Sequence, residues 1–147
     1  MVYFDSPYIA KCYLREHGTD AVLDLAEASQ GRSSLVLAVV EVQAVFHRHM
    51  REGRLNQPAF LETCRRFARD QKEGFWHWLP LDDDFVQRAA GRFRELPSHL
   101  FVRSADCLHL FAAREADFDE IHSNDRHLLA AAPHFGLLGV NVIRQTR

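Results

Sequence analysis

The opening stretch Val2-Tyr3-Phe4-Asp5-Ser6-Pro7 carries the reading on which the fold turns. Valine, tyrosine and phenylalanine suit a pleated strand, whereas proline is tolerated in the first turn of a helix and not in a central strand. The stretch predicts a short strand that stops at an acid and runs directly into a helix. Apolar residues then recur at three- and four-residue intervals from Tyr8 to Glu16 and from Asp20 to Ala28, with Gly18 between. Two consecutive helices are expected there.

The alternation continues outward. Leu35-Val36-Leu37-Ala38-Val39 is apolar throughout, as expected of a strand covered on both faces in a parallel sheet, and Glu41 follows just beyond it. Helical patterns run from Val42 to Gly53 and from Pro58 to Lys72, with proline in the first turn of the second. Trp76 to Leu81 reads as a strand, and Asp82 as the cap of a helix reaching Glu95. Ser104 is expected to cap a helix that places Asp106 in its first turn. Glu120 to Ser123 reads as a short strand, Asp125 to Ala132 as a helix, Gly136 as a stop, and Val140 to Ile143 as the last strand. Strand and helix alternate, so the expected class is α/β, with a central mainly parallel sheet flanked by helices. A length of 147 residues fits one domain over 1–147, since domains typically hold about 100 to 200 residues.

Composition narrows the function. With 47% hydrophobic and 26% charged residues, the chain is not disordered as a whole. Eighteen Lys and Arg against twenty Asp and Glu leave a formal charge of -2, so any nucleic-acid contact must be local. The longest apolar runs, such as Leu35 to Val40, are far shorter than the roughly 20 residues of a spanning helix. No membrane partner is expected. The amino terminus shows no basic stretch ahead of an apolar segment, and the cytoplasm is the expected location. Cys12, Cys64 and Cys107 are odd in number and widely separated, which predicts reduced thiols rather than a disulfide framework or a zinc site.

Four acids fall where a strand ends or the next helix begins: Asp5, Glu41, Asp106 and Asp125. In open parallel sheets the ligand crevice lies beyond the carboxyl edge of the strands, so residues remote in sequence meet there. Taken singly, each is a helix cap or a solvated charge; together they predict an acidic pocket. Crowded carboxylates raise one another's pKa and weaken the fold, so a counter-charge is required. A hard divalent cation, Mg²⁺ or Mn²⁺, supplies it through oxygen ligands and accepts a substrate phosphate as well. The expected chemistry is hydrolysis of a phosphodiester. Ser123, two residues before Asp125, and Ser6, next to Asp5, are placed to support the acids from behind.

These residues resemble those of PIN-domain ribonucleases, and specifically VapC-type toxins of toxin–antitoxin pairs. The resemblance is carried by Tyr3-Phe4-Asp5-Ser6, Val40-Glu41-Val42, Val102 to Leu110, Ile121 to Arg126, and the ending Gly136-Leu137 with Val140-Asn141-Val142. It covers nearly the whole chain, and its weight lies in the order and spacing of the segments. It implies a PIN-like three-layer α/β/α fold, Mg²⁺ or Mn²⁺ in the acidic pocket, and endonucleolytic cleavage of RNA. It also implies a homodimer and a small cognate antitoxin that obstructs the pocket.

From Arg48 to Lys72 seven basic residues face three acids, a local excess of four positive charges. Arg48, Arg51, Arg65, Arg66 and Arg69 are therefore the expected RNA-binding residues, with a solvated helix surface as the alternative. Phe67, Phe75, Trp76 and Trp78 suit stacking on bases, or a core. His109 lies one helical turn after Asp106, within reach of the pocket. A metal-independent ribonuclease using two histidines, a non-catalytic PIN-like binding module and a housekeeping PIN ribonuclease without an antitoxin remain open. A Gly-rich loop ending in Lys-Ser or Lys-Thr is absent, so nucleoside-triphosphate binding lacks its usual cradle.

Overall fold

The structure is a computed structural model that describes residues 1–145. In chain order it comprises β1 (Val2–Tyr3), α1 (Ser6–Lys11), α2 (Thr19–Ala28), β2 (Arg32–Leu35), α3 (Ala38–Arg51), α4 (Gln57–Lys72), β3 (His77–Leu79), α5 (Asp83–Gly91), α6 (Ser104–Glu115), β4 (Glu120–His122), α7 (Arg126–Ala131) and β5 (Leu138–Val140). Single 3₁₀ turns follow α5 and α7.

All strand pairs are parallel: β1 with β2, β2 with β3, and β4 with β5. A parallel bridge from Phe4 to His122, and the Asp5 N–H donating to the His122 carbonyl at 3.1 Å, join the two halves. The order across the sheet is therefore 3-2-1-4-5, with β1 central. Successive side chains of a strand point to opposite faces, so Tyr3 and Phe4 feed two different cores. Tyr3 packs with Phe85, Leu110, Ile121 and Leu128 under α5, α6 and α7. Phe4 packs with Ile9, Val22, Phe46 and Phe67 under α1 to α4. Two helical layers thus flank one sheet, as expected from the sequence.

Several boundaries differ from expectation: α1 ends at Lys11 rather than Glu16, β3 is His77–Leu79 rather than Trp76 to Leu81, α5 ends at Gly91 rather than Glu95, and three more bear on the site. The second strand is Arg32–Leu35, not Leu35 to Val39, and it buries the hydroxyl residues Ser33 and Ser34. The apolar run instead straddles the strand end and the start of α3. A short apolar run cannot distinguish a buried strand from a buried helical turn, and here Leu35 and Ala38 are buried while Val40 is 62% exposed. Glu41 consequently sits in the first turn of α3. The last strand ends at Val140, leaving Ile143 to cross into the second core. Finally, Ser104 is the first residue of α6 and Arg103 precedes it as the cap. Asp82 caps α5 as expected, accepting from the Phe85 N–H at 2.8 Å. All three cysteines are free. Phe67 and Trp76 are buried core residues. Among the described residues no helix is long and apolar enough to cross a membrane.

Gly18 caps α2 with φ +86°, and a Cβ there would lie 2.7 Å from the Ile143 side chain. Gly53 has a similar φ of +74° but open space around it. Gly18→Ala is expected to destabilise by about 1–3 kcal/mol through the left-handed backbone and the added contact. Gly53→Ala should cost less, and urea unfolding of the two variants measures the difference.

Candidate active site

A cleft of about 510 Å³ opens beyond the carboxyl ends of the strands, and Asp5, Glu41, Asp106 and Asp125 all line it, with Ser6, Arg103 and His109. The four acids arrive from different elements, and each is held in its own way.

Asp5 follows the central strand and caps α1, its Oδ1 accepting from the Tyr8 N–H at 3.0 Å. It is 2% exposed. Burial pushes its pKa from the ordinary 3.8 to about 6, opposed by the Ser123 hydroxyl and the Tyr8 amide. Asp125 caps α7, with Oδ1 accepting from the N–H groups of His127 at 2.8 Å and Leu128 at 3.1 Å. Its own N–H donates to the Ser123 hydroxyl oxygen at 2.9 Å. Burial works against its charge, but these amides and the Arg103 guanidinium hold the pKa below the usual carboxylate range. Ser123, fully buried, thus stands between Asp5 and Asp125 and supports both.

Asp106 occupies the first turn of α6 and is 7% exposed. Its Oδ2 accepts from the Arg103 N–H at 3.3 Å and Nε at 2.9 Å, and its Oδ1 from Nη2 at 3.3 Å. The same Nη2 also donates to Asp125 Oδ2. One guanidinium therefore ties two acids from two helices, and its own pKa is raised by the hydrogen bonds to Asp106 first and Asp125 second.

Glu41 is held from the other wall. Its Oε1 accepts from Ser6 Oγ at 2.7 Å and from His109 Nε2 at 2.6 Å. The ionised Glu41 carboxylate can only accept, so His109 Nε2 carries a ring hydrogen and donates it. In the neutral ring Nδ1 then accepts from Tyr3 Oη, 2.8 Å away, while that oxygen accepts from the Leu35 N–H at 3.1 Å. Burial disfavours the Glu41 charge, yet His109 and then Ser6 hold its pKa below the ordinary value.

Of the basic residues expected to meet RNA, only Arg48 lines this cleft. Arg51 is exposed on α3. Arg65 pairs with Glu62, and Arg69 with Asp70, both at the α4 surface. Arg66 lies over the Tyr13 ring and lines a separate cleft with His49 and Arg54. The sequence reading missed the roles of Arg103 and Tyr3. A signal for the first existed in the i, i+3 spacing of Arg103 and Asp106 on a helix start; the tyrosine hydroxyl left none.

The donors suit a hard cation in kind, because they are carboxylate oxygens with no thiolate among them. Burial outweighs the hydrogen bonds to Asp5 and disfavours its charge, which a cation beside it would offset. With Arg103 set between Asp106 and Asp125, however, no three His, Cys, Asp or Glu side chains among the described residues form a ready metal cluster.

No family model matches the sequence, and no curated protein matches it. Solved structures do match the fold. VapC20 from Mycobacterium tuberculosis, a sarcin–ricin loop cleaving toxin, matches with a TM-score of 0.70 over 89% of this chain and 95% of that one, at 11% identity. FitAcB from Neisseria gonorrhoeae matches with a TM-score of 0.68 over 97% and 98% of the two chains, at 14% identity. FitAB bound to the IR36 DNA fragment matches with a TM-score of 0.58 over 100% and 99%, also at 14% identity. The chain has the fold of these proteins, and the resemblance to VapC-type PIN domains seen in its residues is met in three dimensions.

Between pH 3.8 and about 6 the folded Asp5 binds more protons than its unfolded counterpart, so its contribution to stability falls as pH rises through that window. Asp5→Asn is expected to stabilise the protein above pH 6 by up to about 3 kcal/mol, with the gain vanishing below about pH 4 as both forms become neutral. Urea midpoints across this range check it. Tyr3→Phe strands the Leu35 N–H and His109 Nδ1 in the core and should cost about 1–3 kcal/mol in the same assay.

Proposed function

We propose that this protein is a divalent-metal-dependent endoribonuclease, acting as the toxin of a type II toxin–antitoxin system. The observation that carries the reading is the convergence of Asp5, Glu41, Asp106 and Asp125 in one cleft at the carboxyl edge of the sheet. Support comes from the fold shared with VapC20, a sarcin–ricin loop cleaving toxin.

Asp5, Asp106 and Asp125, with Glu41, would hold Mg²⁺ or Mn²⁺. Such a cation polarises a phosphodiester and offsets charge on the leaving oxygen. The chain's own groups do the rest. Ser123 keeps Asp5 and Asp125 side by side, and the α1 and α7 amide groups bonded to those acids keep them ionised at neutral pH. His109 and Ser6 both hold Glu41 Oε1, which leaves Oε2 as the atom that takes a proton from an attacking water. Arg48, on the rim, offers a phosphate contact that positions the strand. A small cognate antitoxin covering the cleft, and assembly as a homodimer, complete the proposal.

A non-catalytic binding module would use the same acids only to receive a partner's arginine. Incubating the purified protein with single-stranded and structured RNA and Mn²⁺ separates the two readings. Wild type is expected to cut. Asp106→Asn and Asp5→Asn should each lose at least roughly a hundredfold in rate, the scale of losing one preorganised electrostatic contact to the transition state. RNA left intact by the wild type, or cut equally by all three in chelator, contradicts the enzyme reading.

A further inference from the structure

Arg103 takes no part in the reaction just described, yet it lies at the centre of the cleft. Its side chain is 53% exposed, and an exposed arginine is free to extend into water. It instead donates to Asp106 and to Asp125, which begin two different helices. Two carboxylates facing one another without a counter-ion repel, and the guanidinium supplies the single positive charge nearest to both.

We propose that Arg103 is the resident counter-ion of the metal-free cleft, competing with a divalent cation for Asp106 and Asp125 and passing to a substrate phosphate when displaced. The inference rests on the metal-dependent reading above. A divalent cation brings twice the charge and shorter contacts to oxygen, so it prevails over the guanidinium. The planar fork of arginine matches phosphate as well as carboxylate. Arg103 precedes Ser104 and Ala105 on the same wall of the cleft, so release from the acids leaves it beside the substrate. Cation and RNA binding are thereby coupled, each removing a competitor of the other.

The test is Mn²⁺ titration calorimetry on wild type, Arg103→Ala and Arg103→Gln, without RNA, alongside melting curves with and without Mn²⁺. Arg103→Ala is expected to bind Mn²⁺ roughly tenfold tighter, equivalent to about 1.4 kcal/mol. Its metal-free form should melt below wild type, and Mn²⁺ should raise its Tm by more. Arg103→Gln retains an amide NH₂ but no charge and should shift affinity in the same direction by a smaller factor. Wild type that binds Mn²⁺ and variants that bind it no tighter, or more weakly, overturn the proposal and leave the nuclease reading standing. No Mn²⁺ bound by any form, with RNA left uncut, overturns both.

Discussion

Four carboxylates share one cleft, and their mutual repulsion in a partly desolvated place is the cost that the surrounding groups must offset. They do so separately rather than as a symmetric cluster. Backbone amides at the starts of α1 and α7 meet Asp5 and Asp125, Arg103 bridges Asp106 to Asp125, and His109 with Ser6 meets Glu41. Asp5 is the least compensated, which is why burial drives its pKa upward while Glu41 and Asp125 are held low.

The two-residue strand β1 links this electrostatic arrangement to the fold. Its neighbours β2 and β4 pair or bridge on either side, and its adjacent aromatic residues enter opposite cores. Tyr3 does more than fill space. Its hydroxyl accepts from the Leu35 amide and meets His109 Nδ1, so a core residue holds the ring that donates to Glu41. Packing and site chemistry are therefore coupled through one phenolic oxygen.

The surface distribution of charge also bears on function. The arginines of α3 and α4 do not form a continuous wall at the cleft: two engage neighbouring acids, one covers an aromatic ring, and Arg48 alone among them lines the cleft. Positive charge beside the carboxylates comes from Arg48 and Arg103, which both line the cleft, and the proposed substrate contact would centre there. The fold that carries that cleft is shared with VapC20, FitAcB and FitAB.

The alternation of strands and helices, the two-layer covering of the sheet and the acids at strand ends were readable from sequence, because each depends on local periodicity and on caps within a few residues. Asp82 before α5 and Asp125 before α7 illustrate this. The run Leu35 to Val39 reads as a strand in sequence because its hydrophobicity fits a strand and a buried helical turn equally. Only the register of β2 against β1 and β3 decided that Ser33 and Ser34 lie in the sheet. Likewise, sequence determined which acids are present, but not their partners. The contacts of Tyr3 with His109 across 106 positions, of Glu41 with His109 across 68, and of Arg103 with Asp125 across 22 arise from the sheet's topology. Hydrogen bonds of that range follow from how the elements pack, and no local pattern encodes them.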